Sequence, residues 1–187
     1  MLIAPASAKG GLARYAHGFT LIEVAVVLAI IGIAAALAFP NFRTWLQNEQ
    51  IRTVAESIES GLQLAHDDAA EQNQDVEFAL TAGTPSSGTA AASPSGTNWV
   101  VRTYSGQSFI QGFDGAAYSN VAVSSPTGSI VFQPIGLTNQ SGTVTIQVGD
   151  ATNASSYRSL DVVVGAGGTI RLCDPALSLS TNPQGCQ

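Results

Sequence analysis

The chain has 187 residues, about one ordinary domain's worth, with 13 acidic and 7 basic side chains and a net charge of -6. Only 11% of its residues are charged, against roughly 25% in a typical soluble domain, and 45% are hydrophobic; this excludes disorder driven by self-repulsion, and the acidic balance argues against general nucleic-acid binding. Two histidines and two cysteines exclude zinc fingers, iron–sulfur clusters and multi-histidine metal sites.

The charges are unevenly placed. Residues 1–18 hold Lys9 and Arg14 and no acid, so from Phe19 onward 5 basic side chains face 13 acidic ones, a net charge of -8. A short basic leader followed directly by an apolar run is a membrane-targeting layout. From Val24 to Phe39 no side chain is polar, and with Phe19 to Glu23 the run is 21 residues. As a helix that is roughly 31 Å, enough for a hydrocarbon core of about 30 Å. The positive-inside rule keeps the basic side cytoplasmic and exports the rest. Three readings compete: a signal peptide cleaved at Ala36-Leu37-Ala38, an anchor that keeps its leader, and a segment processed at the leader's edge. Glu23 favours the third. A carboxylate in an apolar span costs several kcal/mol and needs a partner. Cleavage between Gly18 and Phe19 would create an α-amino cation about 6 Å along the helix from Glu23, at the same membrane depth. Glu23 could then pair with the Phe19 amine of a neighbouring subunit.

Gly18-Phe19-Thr20-Leu21-Ile22-Glu23, followed by the apolar stretch Val24 to Gly32, resembles the class III signal of type IV pilins and type II secretion pseudopilins. The resemblance implies that a prepilin peptidase cuts between Gly18 and Phe19, that Phe19 is then N-methylated, and that Glu23 is the assembly glutamate. Pro40, 21 residues after Phe19, matches a proline that kinks or loosens the family's helix. The implied partners are other pilins or pseudopilins, the prepilin peptidase and an inner-membrane assembly platform.

Helical periodicity continues past the apolar run. Leu46, Ile51, Val54, Ile58, Leu62, Ala65 and Ala69 form one apolar stripe. Gln47, Asn48, Glu49, Arg52, Glu56, Glu59, Gln63, Asp67 and Glu71 form a polar face. The expected helix runs from Phe19 to about Gln72, with Asn73 near its end. Residues 19–39 form its membrane or filament-core half, and residues 40–73 the half that packs on a globular domain. At Pro40 a missing N–H and a crowding ring predict a bend or local melting. His66 with Asp67, Asp68, Glu71, Asp75 and Glu77 reads as a solvated helix face and its exit turn, with a metal or acid–base cluster as the alternative. There is no G-x-S-x-G, H-E-x-x-H, Walker A or C-x-x-C. No catalytic residue, metal site or cofactor is expected.

From Asp75 the period changes to two. Strands are predicted at 76–80, 99–104, 108–113, 121–124, 129–133, 143–148, 158–164 and 169–173, separated by Gly, Pro, Ser and Asn. The fold class is therefore α+β, a long N-terminal helix packed on an antiparallel β-sheet domain over residues 74–187. Thr81 to Thr97, rich in Ser, Thr, Ala and Gly, reads as a flexible surface loop without core-forming residues, either a spacer or a partner-binding loop.

Ile130 to Gly136, then Gly142 to Ile146, reads as strand, turn, strand, and is similar to a paired β-segment of the GspH/FimT-type minor pseudopilins. The tail from Gly168 to Pro175, ending Asn182-Pro183-Gln184-Gly185-Cys186, strengthens that likeness. Cys173 and Cys186 bracket a polar segment and would meet an oxidising compartment. A disulfide there would contribute about 3 kcal/mol by chain entropy; free thiols or metal ligation are the alternatives. DNA-uptake members of the family carry a Gly-Arg-x-Arg stretch, and the matching Gly168-Thr169-Ile170-Arg171 lacks one arginine. Arg102, Arg158 and Arg171 are the only basic side chains of the β domain, so DNA is not an expected partner. The expectation is a structural subunit of a type IV pilus, with a type II secretion pseudopilin as the alternative and a DNA-binding pilin or a periplasmic enzyme behind it.

Overall fold

The computed structural model describes residues 19–86, 88–152 and 156–186, without the side chains of Ala38 and Pro40. The leader, including Gly18, lies outside the described residues. Helix α1 spans Leu21–Gln72, and its backbone stays helical through residue 40; the ring on which the expected kink depends is not among the described side chains. The chain divides into two compact units, Met1–Pro40 and Asn41–Gln187.

In the second unit α1 ends where the sequence places the end. Asn73 adopts φ 51°, the left-handed cap, and the Gln74 N–H donates to the Ala69 carbonyl at 3.3 Å. That six-to-one bond satisfies a carbonyl the helix leaves orphaned. Ile51, Val54, Ala55, Ile58, Leu62, Ala65 and Ala69 are fully buried, as the apolar stripe predicts. Leu46 departs from it. Leu46 is exposed, and Gln47, expected on the polar face, takes the inward position instead. Its amide donates to the Asn120 carbonyl at 2.9 Å and to Asp150 Oδ1 at 3.0 Å. A buried amide is tolerable because both donors are used.

Eight strands follow: β1 (Val76–Thr81), β2 (Asn98–Thr103), β3 (Phe109–Phe113), β4 (Val121–Ser124), β5 (Ser129–Phe132), β6 (Val144–Asp150), β7 (Leu160–Val164) and β8 (Ile170–Cys173). They form two four-stranded antiparallel sheets, ordered β3-β2-β1-β5 and β4-β6-β7-β8. The antiparallel β-sheet domain predicted from the sequence is present, with its strands divided between two sheets. The sequence expectation joins 130–136 to 142–146 as a paired segment, whereas β5 pairs with β1 and β6 sits between β4 and β7. A two-residue period places side chains on faces but does not say which strand lies alongside. The inner faces of both sheets meet the stripe of α1: Phe78, Leu80, Trp99 and Phe132 from one, Ile146, Val148 and Val162 from the other. Between β3 and β4 lies a short 3-10 turn, Ala116–Tyr118.

At Gly61 the helix backbone comes closest to the first sheet. A Cβ there would stand 2.9 Å from Phe78 Cε2 and 2.9 Å from Trp99 Cη2, both rings buried. Replacing a helical glycine by alanine ordinarily gains about 1 kcal/mol, but overpacking a rigid core costs about 1–3 kcal/mol. Gly61→Ala is therefore predicted to lower stability despite its better helix propensity, and Gly61→Leu to lower it further. Urea unfolding followed by Trp99 fluorescence measures both; a rise in midpoint for Gly61→Ala would show that the rings move aside at no cost.

Candidate functional site

The amino-terminal unit carries the residues that the sequence singles out for processing and assembly. Thr20 Oγ1 accepts the Glu23 N–H at 3.2 Å, and the Thr20 carbonyl accepts the Val24 N–H at 3.2 Å. Thr20 is thus the N-cap, and Glu23 is the third helical residue, the Thr-x-x-Glu spacing of a capping box. The signal for this role of Thr20 is present in the sequence as Thr-x-x-Glu, beyond the charge of Glu23 on which the sequence reading rests. In the first turn a carboxylate also faces the positive end of the helix dipole. The described side chains from Phe19 to Leu37 are all exposed, with Phe19 at 83%, Leu21 at 92% and Leu37 at 72%. A helix apolar on every side has its stable place in lipid or among other helices. Among the described residues no single helix is long and apolar enough to cross a membrane. Leu21–Leu37 taken with Asn41–Gln72 passes by length and composition.

The loop after β1 is not the flexible spacer that its composition suggested. Glu77 and Arg102 are opposite each other on β1 and β2, on the face turned away from the helix. They form a buried ion pair, Nε to Oε2 at 2.7 Å. The same guanidinium donates to the carbonyls of Gly88 and Ala90, the latter at 2.8 Å. Ser93 N–H donates to the Leu80 carbonyl at 2.7 Å, and Asn98 Nδ2 to the Gly83 carbonyl at 2.8 Å. The loop therefore covers the back of the first sheet, and every residue of β1 and β2 is buried. Polar backbone stands in for the missing apolar side chains, held by one arginine.

Cys173 and Cys186 form the expected disulfide. Asp174 organises the tail it closes. Its N–H donates to the Gln184 carbonyl at 2.7 Å, its carbonyl accepts from Leu177 at 3.1 Å, and its Oδ1 caps the Ala176 N–H at 2.9 Å. Arg158 Nη2 pairs with its other oxygen. The Asp-Pro dipeptide at 174–175 was the turn signal for this role. Arg171 donates to the Cys186 carbonyl at 3.1 Å. Beside the tail, a cavity of about 200 Å³ is lined by Asn48, Arg52, Leu160 and Gln184 among others. That is below the usual size of a small-molecule site.

His66 and its acidic neighbours are not gathered into one site. Among the described residues no group of three or more His, Cys, Asp or Glu could hold a metal. His66 Nδ1 lies 3.2 Å from Asp67 Oδ1, and its ring meets Phe132 edge-on; Glu77 belongs to the Arg102 pair. Above the imidazole two turns meet, at Gly136 (φ 82°) and Gly168 (φ 77°). A Cβ on Gly168 would sit 2.1 Å from the Gly136 carbonyl oxygen, so only glycine fits. Thr138 N–H donates to the Ala166 carbonyl at 3.0 Å and locks the turns together. Gly168, matched above to a DNA-uptake stretch, is thus a packing residue.

Residues 54–168 match the family described as type II transport protein GspH, and residues 13–39 match the prokaryotic N-terminal methylation motif. The first match covers more than half of the chain, and the chain belongs to the GspH family, a family of minor pilins and pseudopilins. The motif and the apolar helix are those of membrane-anchored pilins. A fimbrial protein of Pseudomonas aeruginosa is 39% identical over 64 residues, 34% of this chain and 41% of that protein. The type IV major fimbrial protein FimA of Dichelobacter nodosus is 49% identical over 37 residues, 20% of this chain and 24% of that protein. The match therefore spans about two fifths or less of these curated relatives. In fold, the chain resembles the type IV minor pilin FimU of Pseudomonas aeruginosa, with a TM-score of 0.54 and 14% identity over 76% of this chain and 99% of that one.

Two predictions follow from the β domain. Arg102→Ala leaves the buried Glu77 carboxylate unpaired and releases two loop carbonyls, and should cost about 3–5 kcal/mol. It should also open residues 82–97 to limited proteolysis under conditions where the parent is resistant. Asp161, buried with Oδ1 unpartnered among the described residues, has its pKa raised, first by burial and then by Asp174. A carboxyl raised in the folded state penalises the fold while ionised, and the penalty is relieved as pH falls through the raised value. Asp161→Asn should therefore raise the unfolding midpoint at neutral pH, with the advantage shrinking as the pH falls through the carboxylate range. Thermal unfolding across that range checks the sign.

Proposed function

We propose that the chain is a minor pilin that assembles into or primes a type IV pilus. The precursor rests in the inner membrane as a single-pass protein, with residues 1–18 cytoplasmic and the β domain periplasmic. Prepilin peptidase cuts between Gly18 and Phe19, and the Phe19 amine is methylated. The apolar helix then leaves lipid for a bundle of like helices at the assembly platform. There Glu23 neutralises the Phe19 amine of a neighbouring pilin. The observation that carries this reading is one carboxylate, four residues after Phe19, in a segment whose described side chains from Phe19 to Leu37 are otherwise all uncharged and all exposed. The role is structural, without cofactor or catalysis. DNA is an unsuitable partner. Among the described residues Arg102 is held by Glu77, Arg158 by Asp174 and Arg171 by the Cys186 carbonyl, and the net charge of -8 past the leader disfavours binding to phosphates.

A second reading, a GspH-type minor pseudopilin of a type II secretion system, is favoured by the family match over residues 54–168. Deleting the gene and scoring piliation and secretion side by side separates the two. Loss of pili with secretion intact is expected; loss of secretion with pili intact would install the second reading. For the shared chemistry, mature protein should begin at Phe19 by N-terminal sequencing. Glu23→Ala should be processed but absent from sheared filaments. Cleavage after Ala38, or normal incorporation of Glu23→Ala, overturns the assembly role.

A further inference from the structure

On β7, Val162 and Val164 turn toward the helix, and Asp161 turns to the opposite face, beneath the tail. It stands opposite Cys173 on β8, and the two are 6% and 2% exposed. Asp161 Oδ1 has no hydrogen-bond partner among the described residues. Oδ2 lies 4.0 Å from Cys186 Sγ. That sulfur is bonded to Cys173 and has no hydrogen to give, so it does not satisfy the carboxylate. The neighbouring cations are engaged elsewhere, Arg158 with Asp174 and Arg171 with the Cys186 carbonyl at 3.1 Å. Burial and then Asp174 act on the carboxyl, both raising its pKa. A buried acid without a donor, whose neutral isostere should stabilise the domain, points to a role beyond stability.

We propose that Asp161 guards the Cys173–Cys186 bridge against thiol reductants by charge repulsion, so that the tail, once closed, stays closed. Cys173 is buried and Cys186 half-buried, which makes Cys186 Sγ the accessible sulfur. An attacking thiolate forms a new bond to Cys186 Sγ, the bond to Cys173 breaks, and its electron pair leaves on Cys173 as a thiolate that then takes a proton from water. During that displacement one negative charge is spread over three sulfurs in line, with Cys186 Sγ in the middle, beside a fixed anion. The second thiol of a dithiol reductant then attacks its own sulfur in the mixed disulfide. It departs as a cyclic disulfide and frees Cys186 as a second thiolate at the same place. The tail does not relieve the repulsion by moving away. The Asp174 N–H donates to the Gln184 carbonyl at 2.7 Å and the Cys186 N–H to the Asp174 carbonyl at 3.3 Å, bonds that do not depend on the bridge. The inference is independent of the choice between pilus and secretion machine.

The full chain, folded and oxidised in detergent micelles, is exposed to excess dithiothreitol at about pH 8, where a thiol is partly ionised. A parallel sample receives an uncharged trialkylphosphine. There the positive charge that forms on phosphorus offsets the departing thiolate, and water carries the adduct to phosphine oxide and the second thiol. Alkylation of the freed thiols with iodoacetamide and mass spectrometry follow the opening. Asp161→Asn and Asp161→Ser are expected to open roughly three- to tenfold faster than the parent with dithiothreitol, and within about twofold of it with the phosphine. The urea midpoint of oxidised Asp161→Asn should be no lower than that of the parent, which separates repulsion from loosening. Faster opening with both reagents would mean that the substitution only exposes the bridge, and overturns the guard. An unchanged or slower rate with dithiothreitol also overturns it, since the carboxyl then adds no repulsion or donates a proton to the leaving sulfur.

Discussion

The globular unit depends on one stripe of α1, from Ile51 to Ala69, being shared by two sheets with no strand pairing between them among the described residues. A four-stranded sheet with one uncovered apolar face is not stable alone. Here the same wall of small and branched side chains covers Phe78, Trp99 and Phe132 on one side and Ile146, Val148 and Val162 on the other. The size of the wall residues sets the approach. Gly61 lets the backbone come close to Phe78 and Trp99, and Ala55, Ala65 and Ala69 are fully buried along the same helix among larger branched residues. Removing the helix would strip the inner face from both sheets at once, so the second half of α1 is an element of the domain rather than a stalk for it.

The connectivity enforces the same interdependence. In chain order β4 belongs to the second sheet and β5 to the first, so neither sheet can be completed from a contiguous stretch. β1 must wait for β5, pairing Val76 with Phe132. Such non-local pairings are entropically slow to form, and locally fixed turns help to hold them. The Gly136 and Gly168 turns do this here. They meet over His66, joined by the Thr138–Ala166 hydrogen bond, and close the seam between sheets at the end where β5 leaves one and β8 enters the other.

Much of this was legible in the sequence, because period and punctuation are local properties. The end of α1, the stripe, the eight strands within a residue or two and the disulfide all follow from alternation, cap residues and compartment. What stayed hidden were decisions that depend on a distant partner. Gln47 looks solvent-facing until Asn120 and Asp150 arrive to bond it, and Leu46 is then turned outward. The segment 81–97 looks featureless because its anchor, Arg102, lies on a strand beyond it, and because carbonyl oxygens carry no sequence identity. Asp174 carries a local turn signal in Asp174-Pro175, but its bonds to Gln184 and Arg158 depend on distant partners. The capping role of Thr20 is local and is legible in Thr-x-x-Glu alone.

The low charge count then acquires a physical consequence. Of the five arginines past the leader, Arg102, Arg158 and Arg171 fasten a loop and a tail from within, Arg52 pairs with Glu56, and Arg43 is also engaged. The cations are used for internal closure, while the unit Asn41–Gln187 holds 12 acids against those 5 arginines, a net charge of -7. Two such units side by side repel, weakly, beyond a screening length of about 8 Å. Electrostatics between globular surfaces therefore does not drive copies together; it limits contact to complementary neighbours. The drive to associate falls instead on the segment from Phe19 to Phe39, almost without charge, whose described side chains are exposed and mostly apolar. In a medium of low dielectric an unpaired carboxylate is costly, and a charged partner offsets that cost. Under the proposed function, Glu23 would set the register of an assembly whose binding energy comes from its apolar neighbours.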